Sequence, residues 1–407
     1  MNKKIGIIIG VVAGIGMLGF GAWYTVNYGG IFSGGENVIS NVASENGTES
    51  DGASLKNGEN VIKSGGTYEI SGNITGRIKI DTTEAVTLVI NSDVSITNND
   101  ENGAISADGD LTIKGDGKLT ISSTGKGIKA EGVLTIDSGT IAITATDDAL
   151  HSNGSVIVSG GDLMLSSGDD GIHADSDVTI AGGKIDISKS HEGIEGHNIT
   201  VSGGEISVIA DDDGFNVAGG NDESGTGGQD GGMWGKMGMD QVTDGTLAIT
   251  GGSVYVNAAG DGLDSNGSMK ISGGTVYVDG PTNAGNGALD YNGTFEITGG
   301  TLIAVGAAGM AQNASSATQP SVLMNLSTTY TGEIVFGEIS YSPTKSYSSI
   351  LISSPELSVG DSYTLSIGGK EVSSITISQN VTGGSGGMTQ GGGQMPTQQQ
   401  QPRQQQR

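Results

Sequence analysis

The chain contains no cysteine, which rules out a disulfide framework and a lipid-modified N-terminal cysteine. Stability has to come from packing or from metal. Aromatic residues make up only 4% of its 407 residues, and arginine is confined to Arg77, Arg403 and Arg407. Positive charge is scarce: 18 Lys and Arg stand against 45 Asp and Glu, for a net charge of −27. A surface this acidic excludes nucleic acid and anionic membrane surfaces as partners and suits a protein that collects cations. No helical period occurs after residue 30, and the Leu/Asn signature of leucine-rich repeats is missing. The low aromatic content and 74 glycines would suggest disorder, were the apolar residues not regularly spaced.

That spacing is the strongest signal present. An apolar anchor steps through Ile105, Ile128, Leu150, Ile172, Ile194 and Phe215, at intervals of 23, 22, 22, 22 and 21 residues. Before it lies an acidic turn: Asp147-Asp148-Ala149-Leu150-His151, Asp169-Asp170-Gly171-Ile172-His173, His191-Glu192-Gly193-Ile194-Glu195, and Asp212-Asp213-Gly214-Phe215-Asn216. Gly260-Asp261-Gly262-Leu263-Asp264 and Gly287-Ala288-Leu289-Asp290 continue the series. A fixed period of this size means stacked supersecondary units rather than a closed globular core. Each unit reads as three short strands with apolar residues at period 2, separated by Gly-Gly turns at 160–161, 182–183, 203–204, 251–252, 273–274 and 299–300. The predicted fold is all-β, a parallel β-helix of about 22 residues per coil with an N-terminal cap and a C-terminal β cap.

Five segments are expected. Residues 1–28 are a membrane anchor or signal: Lys3 and Lys4 precede an uncharged run from Ile5 to Val26, long enough to span a bilayer. A cleaved signal peptide is the alternative, and either way the protein is exported. Residues 29–57 form a Gly/Ser/Asn-rich linker, 58–325 the β-helix, 326–380 a β cap, and 381–407 a disordered Gly/Gln-rich tail.

In such a coil, equivalent residues of successive turns lie about 4.8 Å apart. The position after each anchor therefore stacks Lys129, His151, His173, Glu195, Asn216, Asp264 and Asp290, expected to point outward. The turn position stacks Lys126, Asp148, Asp170, Glu192, Asp213 and Asp261, flanked by Asp147, Asp169, Asp211 and Asp212. Two carboxylates at that spacing repel by about 1 kcal/mol in water and by more at a protein surface. Ca²⁺ takes six to eight oxygens at about 2.3–2.6 Å, so an ion midway between two stacked carboxylates reaches both. The expected ligands are Asp147, Asp148, Asp169, Asp170, Glu192, Glu195, Asp211, Asp212, Asp213, Asn216, Asp261 and Asp264. A solvated acidic edge is the alternative. His151 and His173 read as surface residues paired with acids, in preference to a zinc site.

Three motifs together carry a resemblance: Gly66-Thr67-Tyr68-Glu69-Ile70-Ser71-Gly72, the repeated Asp-Asp-Gly-Ile turns, and Ser348-Ser349-Ile350-Leu351-Ile352-Ser353-Ser354-Pro355-Glu356-Leu357. Over roughly residues 58–378 the chain resembles the carbohydrate-binding-domain proteins of bacterial cell surfaces. The resemblance implies a right-handed parallel β-helix similar to that of polysaccharide lyases, bound calcium, and affinity for plant cell-wall glycans such as cellulose and pectin.

For a sugar platform the candidates are Tyr255 and Tyr277, at the same place on adjacent turns, and Trp234 in the insertion that breaks the period between Phe215 and Leu263. An ordinary cross-strand aromatic pair is the alternative for the tyrosines. Lyase chemistry needs a Lys or Arg base, and Lys126, Lys129 and Lys189 read better as partners of neighbouring carboxylates. The expectation is a calcium-loaded, membrane-anchored, extracellular polysaccharide-binding protein. A calcium-dependent pectate-type lyase is second, and a structural adhesin or stalk third.

Overall fold

The computed structural model describes residues 37–39, 53–217 and 242–384. The expected membrane segment, most of the linker, most of the insertion with Trp234, and all but the first residues of the Gly/Gln tail lie outside the described residues. Two expectations are corrected at their edges: Asn37–Ile39 and Ala53–Ser54 of the linker and Val381–Thr382 of the tail pair as strands, because their main-chain groups continue neighbouring ladders. The described residues hold strands and no α-helix, coiled into a parallel β-solenoid of about 11 turns.

The anchors stack as the period requires. Ile78, Ile105, Ile128, Leu150, Ile172, Ile194, Phe215, Leu263 and Leu289 pair in sequence through parallel ladders. A second column runs Leu111, Leu134, Val156, Val178, Ile199, Leu247, Met269 and Phe295. Leu119, Ile141, Leu163, Ile185, Ile206, Val254, Val276 and Leu302 make the third. All three are buried in one continuous apolar core, which fills the coil as alternating side chains point inward. Phe215 pairs directly with Leu263, so the register of the stack continues across the insertion.

Two kinds of glycine make the turns possible. The second Gly of each pair, from Gly161 to Gly300, has φ between 79° and 94°, a backbone region closed to most side chains. The Gly of the acidic turn is needed for space instead: a Cβ on Gly171 would sit 2.6 Å from Gly193 O and 2.7 Å from Ile187 Cδ1.

The stack ends where parallel pairing stops. Strand Phe295–Gly306 is met by Tyr347–Ser353 in antiparallel register, and that strand in turn pairs antiparallel with Ser321–Tyr330. Period 2 divides this pair between two cores: Leu323 and Leu351 face the solenoid, while Val322, Met324, Ile350 and Ile352 face a second cluster. The boundary expected at 325/326 therefore falls inside a strand that serves both units. A four-stranded antiparallel sheet (Ile339–Tyr341, Ile334–Phe336, Ser362–Ile367, Lys370–Thr376) completes the C-terminal module.

Candidate cation column

The register places the polar positions as well as the anchors. Lys129, His151, His173, Glu195, Asn216, Asp264 and Asp290 are successive partners along one ladder. In the turns, the N–H after each turn residue bonds to the carbonyl of its equivalent one coil on, which aligns Lys126, Asp148, Asp170, Glu192, Asp213 and Asp261.

One expectation is corrected here: the central part of this column is buried. His173 and Glu195 have no exposed surface, and His151 and Asn216 are 5% exposed. Asp148 and Asp170 are each 2% exposed and Glu192 3%. The acidic turn folds over the strand that follows it, so a residue facing away from the apolar core is covered by carboxylates instead of by water. The histidines do pair with acids, but under cover. Their rings stack at 4.8 Å with 5° between planes, the spacing of the coil itself.

The partners differ from turn to turn. Lys126 Nζ lies 2.9 Å from Asp147 Oδ1 and 2.5 Å from Asp148 Oδ2. His151 Nδ1 meets the same Asp148 oxygen at 2.8 Å. Burial works to raise the Asp148 pKa, yet His151 and Lys126 outweigh it and hold the group down to about 2. His173 Nδ1 lies between Asp170 Oδ2 at 2.9 Å and Glu195 Oε2 at 3.0 Å. Burial opposes charge on His173, but these two hydrogen bonds prevail and push it up to about 11.

Further along, oxygen faces oxygen. Burial, then the nearby Asp261 and Asp264, push Asp213 up to about 9. Burial with Asp261, Asp290 and Glu192 raises Asp264 to about 8, and burial with Asp290 and Asp212 raises Asp261 to about 6. Among the described residues, three buried oxygens have no hydrogen-bond partner: Asp170 Oδ1, Glu195 Oε1 and Asn216 Oδ1. Such atoms are rare in folded chains and call for a partner, an ion or a water among them. Asn216 Nδ2 donates to Glu192 Oε2 at 2.6 Å, leaving Oδ1 as the free end of that amide. Carboxylate and amide oxygens are hard donors, of the type that Ca²⁺ takes in sets of six to eight.

Other expected ligands stand differently. Asp147, Asp148 and Asp169 come together within 4.8 Å, but the first two are paired with the Lys126 ammonium. Asp211 is exposed, and Asp212 is part-exposed with His191 Nε2 3.8 Å away. Some acids also have a backbone duty that the sequence pattern did not reveal. Asp148 Oδ1 accepts the N–H of Asp170 at 3.0 Å, and Asp213 Oδ1 that of Asp261 at 2.6 Å. A side-chain ladder thus runs beside the main-chain one.

Tyr255 and Tyr277 are register partners, as expected, but they form no open platform. The C-terminal module partly covers them: the Tyr277 ring stacks on Tyr341 at 4.8 Å and 3°, and Tyr255 Oη lies 3.2 Å from Thr344 Oγ1 and donates to Asp279 Oδ2 at 3.1 Å, which leaves both residues half-buried. Asp279, with no exposed surface, also accepts from Tyr341 Oη at 2.6 Å and from Thr344 N and Oγ1 at 2.7 and 2.6 Å. Lys345 Nζ bonds the carbonyls of Ala258, Asp279 and Gly280 beside it. Sequence reasoning missed this latch, because its halves lie more than sixty residues apart; an Asp at a strand end beside outward tyrosines was its only trace.

Residues 91–281 of the solenoid match the family model described as carbohydrate-binding domain-containing protein. The resemblance seen in the repeated acidic turns therefore holds over the central turns, and this match on a parallel β-solenoid fits a carbohydrate-binding β-helix protein. No curated protein and no solved structure matches it.

Proposed function

We propose that the protein is a non-catalytic polysaccharide-binding module of the cell surface whose solenoid is loaded with Ca²⁺, and that its ligands are cell-wall glycans of the cellulose or pectin type. The family match supports carbohydrate binding. The observation that carries the calcium reading is the trio of partnerless buried oxygens on Asp170, Glu195 and Asn216. Ca²⁺ bound among them would supply positive charge to a column of like-charged groups and fasten one turn to the next. The apolar run Ile5–Val26 behind Lys3 and Lys4 supports anchoring at the membrane with the solenoid outside.

The lysines support binding over lyase chemistry. Lys126 is held by Asp147 and Asp148, and Lys129 Nζ lies 2.8 Å from Glu131 Oε1, so neither amine is poised to abstract a proton. The test is retention of the full chain on insoluble cellulose, pectin and xylan, with Ca²⁺ and with chelator. Retention on at least one glycan, weakened by chelator, is the expected result. Release of unsaturated product from polygalacturonate would overturn the non-catalytic reading, and no retention on any glycan would favour the structural stalk.

A further inference from the structure

Charge is not spread evenly along the column. In its early turns the chain itself supplies the positive or nitrogen-bearing groups. Lys126 occupies the very turn position that Asp148, Asp170, Glu192, Asp213 and Asp261 take in later coils, and its ammonium reaches over to Asp147 and Asp148. His151 meets Asp148 one coil further, and His173 spans Asp170 and Glu195. Beyond that point the pattern has changed: among the described residues, no Lys, Arg or His pairs with Asp213, Asp261, Asp264 or Asp290.

The change begins after Asp148: His173 Nδ1 meets Asp170 Oδ2 but leaves Oδ1 without a partner, and it continues through Glu195 and Asn216, which are register partners. Two of the three partnerless oxygens, Glu195 Oε1 and Asn216 Oδ1, belong to these residues, both more than nine-tenths buried. On the far side Asn216 pairs with Asp264, and Asn216 Nδ2 ties the seam to Glu192. A Lys or His side chain and a metal ion do the same electrostatic work here, so where one stands the other is not required.

We infer that the column is divided: Lys126 and His151 take the counter-ion's place in the turns up to Asp148, and the metal ion is confined to the stretch from Asp170 through Glu195 and Asn216 to Asp264. This rests on the calcium reading above and narrows it. Asp147, Asp148 and Asp169 are then structural acids paired within the chain, although they resemble ligands in sequence.

Calorimetric titration of chelator-stripped full chain with Ca²⁺ tests the division, with folding of each variant checked by circular dichroism. The double variant Lys126→Met, Asp148→Asn removes a paired cation and anion together; it is expected to keep the wild-type ion count and an affinity within about threefold. Asp264→Asn and, independently, Glu195→Gln are expected to weaken binding by more than about tenfold. Equal loss in the double variant and in Asp264→Asn would overturn the division while leaving the calcium reading intact. So would wild-type affinity in both single variants. If the single variants fold only with Ca²⁺ present, the division stands, because that dependence is the weakened site itself. A wild-type chain that takes up no Ca²⁺ removes the calcium reading, and the division with it.

Discussion

Stripping divalent ions should make the stability of this protein fall as pH rises through the mildly acidic range, the reverse of ordinary acid denaturation. Burial and neighbouring carboxylates raise Asp213 from 3.8 to about 9 and Asp264 from 3.8 to about 8. Between the lower and the upper value the folded chain keeps protons that the unfolded chain has released. Stability is therefore complete below the unfolded value and is lost as pH climbs towards the folded one. Each group contributes about 1.4 kcal/mol per pH unit, so the two together lose about 5 kcal/mol between about pH 5 and pH 7. At about 2 °C per kcal/mol, the midpoint of thermal unfolding should drop by roughly 10 °C. Asp261, raised to about 6, adds to the early part of the fall, and Asp170, raised to about 9 by burial and by Asp148, Glu192 and Glu195, adds to it across the window. His173, raised to about 11, adds to it above the unfolded value of 6.5. Asp148, held down to about 2, acts only below 3.8 and leaves this window untouched. Saturating Ca²⁺ should flatten the dependence, returning about 2.7 kcal/mol at a hundredfold excess over its dissociation constant. The assay is scanning calorimetry at several pH values, with EDTA and with CaCl₂. A melting temperature in EDTA that is flat or rises from about pH 5 to pH 7 would refute the reasoning, since the buried acids would then be neutralised by something else.

Three further outcomes are expected. Asp279→Asn removes the charge that four hydroxyl and amide donors share, so it should destabilise the C-terminal module by about 2–4 kcal/mol and expose it to limited proteolysis before the solenoid unfolds. Gly171→Ala forces a methyl against Gly193 O and Ile187, and should cost about 1–3 kcal/mol in denaturant titration; unchanged stability would mean that the turn has slack. Tyr255→Ala with Tyr277→Ala should loosen the same module while leaving glycan retention unchanged, because the rings are half-buried against that module; a selective loss of retention in a fully folded variant would restore them as a sugar platform.

The periodic features were legible in the sequence and the aperiodic ones were not. Every anchor from Ile105 to Phe215 pairs as its spacing predicts, because a single-residue slip would turn the inward column outward and no such turn could stack. The same spacing aligned His151, His173 and Glu195. It could not show that these residues are buried, since strand alternation says which side of the sheet a residue takes, not what the neighbouring turn does to that side. Nor could it show the division after Asp148, which depends on where Nζ of Lys126 and Nδ1 of His151 come to rest. The Asp279 latch was hidden for a different reason. It joins Tyr255 to Thr344, in segments that share no period.

A parallel ladder has no natural last rung. Each coil offers its neighbour a full row of N–H and C=O groups, and a bare final coil would accept a strand from another molecule as readily as from its own chain. Strand Tyr347–Ser353 closes that row by lying antiparallel on Leu302–Gly306. A chain cut short before Ser321 should keep its coils and lose its solubility, joining end to end into filaments. The terminal module thus sets where the run of turns stops.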